Sequence, residues 1–301
     1  FSCCSSLRSV VFPDNLTEIG GSVFSLCKML RSVALPSSVR IIGYGAFSGC
    51  TSLSQVKLNE GLKEIGGNAF KNCKSLTTMT MPSTVEKFGS KIFEGAYSFQ
   101  SINITIKCYQ GSKAIEYLRN NNIDIEALSV GNGGSGQVKN ITLPNPITHK
   151  PIDTHKPNVS AGGKDDYELK SITATTVEIS KFVGFDESKT IIPNEINGKK
   201  VVGIGPEAFQ KCVGITELII SEGIKYIEKN AFSSCSNLAR VQFPTTLKKI
   251  GTWAFSSTKI ETVDLPNGIS KLEDGVFSCC SSLRSVVFPD NLTEIGGSVF
   301  S

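Results

Sequence analysis

Histidine occurs twice, tryptophan once and methionine three times in the 301 residues. So little histidine removes the usual general base for a serine or cysteine nucleophile. No apolar run approaches the ~18 residues that a membrane-spanning helix needs. Neither sign of charge dominates: 31 basic and 27 acidic residues are interspersed and the formal charge is +4, which is not the footprint of a nucleic-acid binder. The 28 glycines follow no three-residue period, which excludes a collagen-like chain, and 40% hydrophobic residues is too many for a disordered one. No charged-then-apolar leader stands at Phe1; the chain reads as an interior piece of a longer protein, so that lack says nothing about export.

What is present is a repeat. Phe1, Phe24, Phe47, Phe70 and Phe93 stand 23 residues apart, and Phe209, Phe232, Phe255, Phe277 and Phe300 follow at 23, 23, 22 and 23. One complete frame is Leu53, Val56, Leu58, Leu62, Ile65, Gly66, Ala69, Phe70 and Cys73; another is Leu7, Val10, Phe12, Pro13, Leu16, Ile19, Gly20 and Phe24. Alternation puts Val10 and Phe12 inward from a short strand and Val11 outward, and Pro13 ends the ladder for want of an N–H. Ile19-Gly20 makes a second extended piece, with the glycine expected to permit the bend after it. Phe24 drops a ring into the coil and Cys27 plugs it. One such unit cannot enclose a core; stacking units ~4.8 Å apart does, which predicts a mainly β solenoid with short helical turns.

This frame resembles the BspA-like leucine-rich repeats of bacterial and some protist surface proteins. The resemblance implies a leucine-rich repeat solenoid made of two arrays of 23-residue repeats, 1–106 and 203–301, joined through a C-terminal cap (107–128), a Pro/Gly-rich linker (129–166) and an N-terminal cap (167–202). In the C-terminal cap Ser112 is expected to N-cap a short helix whose Ala114 and Leu118 close the core. In the N-terminal cap, alternating Val177, Ile179 and Lys181 precede Ile191-Ile192-Pro193 and an Asn197-Gly198 hairpin turn.

Phe1 to Ser25 is identical to Phe277 to Ser301, an offset of 276 residues. Tandem 276-residue modules, entered midway, explain this best; an engineered permutation, hinted at by Gly133-Gly134-Ser135-Gly136, is the alternative. Neither the start of the first array nor the end of the second carries a cap, so both are expected to associate, either between chains or within one.

Candidate chemistry is sparse. Cys4, Cys27, Cys50, Cys73, Cys212, Cys235 and Cys280 share one repeat position; none has zinc-ligand spacing, and they read as buried free thiols acting as small hydrophobes. Cys3 and Cys279 are expected to face outward, and Cys108 lies off the ladder. His149 and His155 fall in the linker. No cofactor, metal site or enzymatic activity is expected. Asn15, Asn103, Asn140, Asn158 and Asn291 stand in glycosylation sequons, relevant only in a eukaryotic secretory setting.

What remains is surface. Outward positions around the main strand should form parallel columns, with Arg8, Arg31, Gln55, Lys57, Thr78, Thr80, Arg240, Gln242, Glu261, Asp264 and Arg284 as the candidate binding face. The family resemblance implies a non-enzymatic, cell-surface or secreted module that binds a protein ligand, such as a host extracellular protein, or mediates adhesion. The alternative is a structural spacer or self-assembling stalk. Nothing points to nucleic acid or to membrane insertion of this segment.

Overall fold

The computed structural model describes residues 4–96, 104–109, 111–121, 123–128, 166–184 and 188–301. Each repeat makes one turn of a coil: in most of them a short strand, a bend, a second short strand, and a pair of tight turns that carry the phenylalanine. Strands of successive turns pair in parallel and in register, as Ser32–Ala34 does with Gln55–Lys57 and Ile41–Ile42 does with both Glu18–Ile19 and Glu64–Ile65. The alternation is as expected: Val10 and Phe12 are buried and Val11 is 49% exposed, although the residues around Val10 are not assigned as a strand.

The core is a column of rings. Phe209, Phe232, Phe255, Phe277, Phe300, Phe24, Phe47, Phe70 and Phe93 stack one above the next with centroids 5.0 to 6.0 Å apart and nearly parallel planes. Each side chain contributes ~2 to 3 kcal/mol by burial, and each stacked pair a further ~0.5 to 1.5 kcal/mol. Strand pairing lapses between Arg240–Gln242 and Thr262–Asp264, and between Lys249–Ile250 and Lys271–Leu272, just where the phenylalanine spacing shortens to 22. The missing residue is absorbed there while Phe255 and Phe277 remain stacked at 5.8 Å.

The two arrays form one stack. Glu294–Ile295 pairs with Glu18–Ile19, Phe300 lies 5.5 Å from Phe24, Asn15 Nδ2 donates to the Asp290 carbonyl at 2.8 Å, and Thr17 Oγ1 donates to that of Thr293 at 3.0 Å. The Cys4 N–H donates to the Phe300 carbonyl, as the Cys27 N–H does to that of Phe24. Phe300 thus occupies the landmark place one turn before Phe24. Of the two associations expected for the open edges, closure within one chain is the one found.

The ends of the stack follow the sequence in most respects. Lys113–Asn120 is the helix, and Ala114 and Leu118 are fully buried. Ser112 holds the N-cap position with extended backbone, but its hydroxyl makes no capping bond and has no partner among the described residues. At the other end Glu195–Ile196 and Lys199–Ile204 form the hairpin, with Asn197 and Gly198 at φ +52° and +70° as a type I′ turn requires.

The glycine after each Ile has a different role from the one expected. None of Gly20, Gly43, Gly66 or Gly251 has a left-handed backbone; a Cβ on Gly43 would lie 2.7 Å from the Gly20 carbonyl carbon, so the requirement is close approach of successive turns. Where Glu228 and Glu273 take this place, each lies between glycines of the adjoining turns, Gly205, Gly251 and Gly296, so two side chains never adjoin. The bends instead use left-handed residues two before and two after each phenylalanine, among them Ser22 and Leu26, Asn68 and Asn72, Glu207 and Lys211, and Trp253 and Ser257.

Candidate functional site

The first segment of each turn, a short strand in most of them, presents its outward residues on one face; these strands fall into four short ladders, and closure of the chain brings those of the two arrays together. Arg8, Arg31, Gln55, Lys57, Thr78, Arg240, Glu261, Asp264 and Arg284 are exposed, whereas Thr80 and Gln242 are half-buried. Register aligns Gln55 with Ser32, Lys57 with Ala34, Thr78 with Thr105, Thr80 with Lys107, Arg240 with Glu217, and Asp264 with Val287. Arg284 lies 3.7 Å from Glu261 across one turn, the one ion pair within this set among the described residues. The candidate residues therefore do not converge on a pocket. They form ordered columns, with Val11 and Val287 as an exposed apolar strip between them.

The two large exposed aromatics among the described residues lie elsewhere. Tyr44 and Trp253 sit on the turns that follow the second strand, Tyr44 accepting from Asn68 Nδ2 and Trp253 covering Gly275. The strand-lined face itself has no aromatic anchor among its candidate residues.

The cysteine ladder is a hydrogen-bond ladder. Cys50 Sγ donates to the Phe24 carbonyl at 3.1 Å, Cys73 to Phe47 at 3.2 Å, Cys235 to Phe209 at 3.1 Å and Cys280 to Phe255 at 3.2 Å. Each carbonyl belongs to the preceding turn, and those of Phe24, Phe47 and Phe209 also accept the N–H of their own turn's cysteine, so the thiol satisfies a second lone pair in a dry site. Thr258, which replaces a cysteine, donates to Phe255 and meets Cys280 Sγ at 3.1 Å, preserving the chain of polar contacts. Reading these residues as small hydrophobes missed this, since nothing in the sequence shows where a thiol hydrogen points.

Burial raises the pKa of three of these thiols: Cys73 to about 12 and Cys280 to about 11, with Cys50 also well above the usual range through burial and the neighbouring Cys73. They are protonated, inert groups at neutral pH. None of the described cysteines is in a disulfide; Cys108 is buried off the ladder, whereas Cys212 and Cys279 are half-exposed. Cys3 and both histidines lie outside the described residues. Among the described residues no group of three or more His, Cys, Asp or Glu is arranged to hold a metal ion, and no helix is long and apolar enough to cross a membrane.

Comparison with known proteins gives the same repeat. A profile of the BspA-type leucine-rich repeat region matches residues 1–122 and 202–301 in six copies. Among solved structures, a leucine-rich repeat protein from Bacteroides ovatus is 22% identical, with 98% of this chain and 70% of that one covered at a TM-score of 0.34. A leucine-rich cell surface protein from Faecalibacterium prausnitzii is 19% identical over 99% and 74% at 0.37. The T. pallidum leucine-rich repeat protein is 20% identical over 46% and 86% at 0.36. No curated protein sequence matches the chain significantly.

Proposed function

The chain belongs to the BspA-type leucine-rich repeat family, and from this premise we propose that it is a non-enzymatic module, displayed at a cell surface or secreted, that binds a protein ligand through its strand-lined face. The observation that carries the reading is that face itself: polar and basic side chains brought out on one side by the short parallel strands of successive turns, with exposed Arg8, Arg31 and Lys57 among them. A rigid, extended surface presents many shallow contacts at little entropic cost, which suits recognition of another surface better than capture of a small molecule. The division into arrays, caps and linker given by the repeat is part of this reading. The test is a pull-down and saturation binding against extracellular proteins, with charge reversal at Arg8, Arg31 and Lys57. Saturable binding lost on reversal supports it; no saturable ligand removes it.

A second reading, a spacer or stalk, is favoured by one observation: a turn of given sequence stacks on an identical turn, Glu18 on Glu294 and Ile19 on Ile295. Modules built this way add length without new interface chemistry. Filaments that grow with concentration, with no foreign ligand, would support that role.

A further inference from the structure

The two halves of the stack, 4–128 and 166–301, meet where the turn of Phe300 lies against the turn of Phe24. There Glu294–Ile295 pairs with Glu18–Ile19, the rings stack, and the Cys4, Thr17 and Gly20 N–H groups donate to the carbonyls of Phe300, Thr293 and Ile295. Each half has its own cap at the far end: Asp124–Leu128 is the outermost strand of one and Tyr167–Ser171 of the other. The chain between the caps, 129–165, therefore has to return along the whole stack. Strand order puts about twelve intervals of ~4.8 Å between those outermost strands, roughly 55 Å in all.

Nothing in the junction depends on both halves belonging to one chain. Consider two copies that trade halves, each stack holding 166–301 of one copy and 4–128 of the other. With the stacks antiparallel about a two-fold axis perpendicular to both, the C-terminal cap of each copy lies beside that same copy's N-terminal cap. The return then crosses the width of a stack instead of its length. A turn of 23 residues at ~3.3 Å each is ~75 Å round and about 25 Å across. At coil dimensions a segment of about 37 residues has an r.m.s. end-to-end distance of ~33 Å, and fully extended it reaches ~120 Å. Closure within one chain is thus within reach but stretched, whereas the exchanged arrangement is not. For a span of ~55 Å those dimensions give one half an effective concentration on the order of 0.1 mM toward the other. Above that concentration the halves of neighbouring chains are the more abundant partners.

We propose that the chain exchanges halves with a second copy of itself, forming a two-fold dimer whose two junctions are the same as the junction in the monomer. Such exchange needs no new interface chemistry, because every contact of the dimer already exists in the monomer. It goes beyond the binding reading: each stack keeps a complete strand-lined face, so the dimer presents two of them, antiparallel.

Engineered cysteines across the junction read the exchange directly. Thr17 and Thr293 are exposed and stand in neighbouring turns, Thr17 Oγ1 donating to the Thr293 carbonyl at 3.0 Å, and the ~4.8 Å rise between turns suits a disulfide. Thr17→Cys chains and Thr293→Cys chains are mixed, refolded together from urea at about 1 µM and at about 0.5 mM, and oxidised. A disulfide-joined pair is expected at the higher concentration and about tenfold less or none at the lower. Each variant refolded alone should give none, which controls for the half-exposed Cys212 and Cys279. The Thr17→Cys/Thr293→Cys double variant should close its own disulfide at the lower concentration, showing that the geometry permits the bond. If it does so while the mixture at about 0.5 mM gives no joined pair, the proposal is overturned. Shortening the return gives a second reading. Removing 135–160 leaves about 11 residues, which reach ~40 Å at most, enough to cross a stack but not to run its length. By sedimentation velocity at about 10 µM that chain should be a dimer where the intact chain is a monomer; a shortened chain that remains monomeric overturns the proposal as well.

Discussion

Raising the pH tests the thiol ladder directly. Cys73 titrates near 9 when unfolded and at about 12 in the stack because burial penalises the thiolate. A folded pKa above the unfolded one means that the folded state holds its proton more tightly; the corresponding stability is complete below pH 9 and is lost as the pH rises from about 9 to about 12. Three units correspond to roughly 4 kcal/mol for Cys73, and Cys280, raised to about 11, adds roughly 3 kcal/mol over its own window. Those losses rival the ~5 to 15 kcal/mol that holds an ordinary domain together, so unfolding should precede full titration. Thiolate absorbance near 240 nm, followed beside far-UV circular dichroism, should therefore rise with loss of structure. Tyr226, also raised to about 12 by burial and then by Glu178, titrates in the same range, so the comparison that isolates the thiols is a Cys50→Ser/Cys73→Ser variant. Serine keeps a donor toward the Phe24 and Phe47 carbonyls but does not ionise there, so the alkaline midpoint should move up while neutral stability changes by only ~1 kcal/mol per site. An unchanged midpoint in that variant, or thiolates of Cys73 or Cys280 appearing near pH 9 in a folded chain, would refute the reasoning.

Three further outcomes follow from the packing. Phe47→Ala removes a fully buried ring stacked between Phe24 and Phe70, and should cost ~3 to 5 kcal/mol in denaturant melts. Lys211→Gly relieves a left-handed residue at φ +64° and should stabilise by ~0.5 to 1 kcal/mol; a loss of stability would show that the lysine side chain matters more than its backbone. Native alkylation followed by mass spectrometry should label Cys279 and Cys212 well before Cys50, Cys73 or Cys280.

How much could be read beforehand depended on whether a residue type is forced by its place. A large ring at the centre of the coil, alternating Val and Phe, Asn197-Gly198 in a two-residue turn, and Ala114 with Leu118 on one helix face are each dictated by space or by dihedral angle, and the sequence shows them. The left-handed bends are not, because Leu26, Asn72, Lys211, Ser234 and Ser257 all fill the same position: stacking of adjoining turns overrides the ~1 to 2 kcal/mol local preference. Thiol direction, the silent Ser112 cap and the clearance role of the glycines depend on the turn above or below, which no single turn records. The binding face is legible as columns, whereas its pattern across the junction depends on which array ends meet.

Identical turns stacking on each other separates what holds the solenoid from what distinguishes its surface. Phe, Ile and Cys recur in nearly every turn, so they direct stacking without specifying a neighbour; Phe300 can stand before Phe24 for that reason. A chain lacking residues 277–301 is expected to set the turn of 4–25 on the turn that ends near Val276, and every interface in the shortened stack already exists in the longer one. Only the identical-on-identical contact, Glu18 with Glu294 and Phe24 with Phe300, disappears. Such a deletion should fold with little loss of stability. In contrast, removing 26–48 sets the turn of 4–25 against unfamiliar neighbours. Equal loss of stability in the two deletions, read in denaturant melts, would show that neighbours are chosen by more than the shared columns.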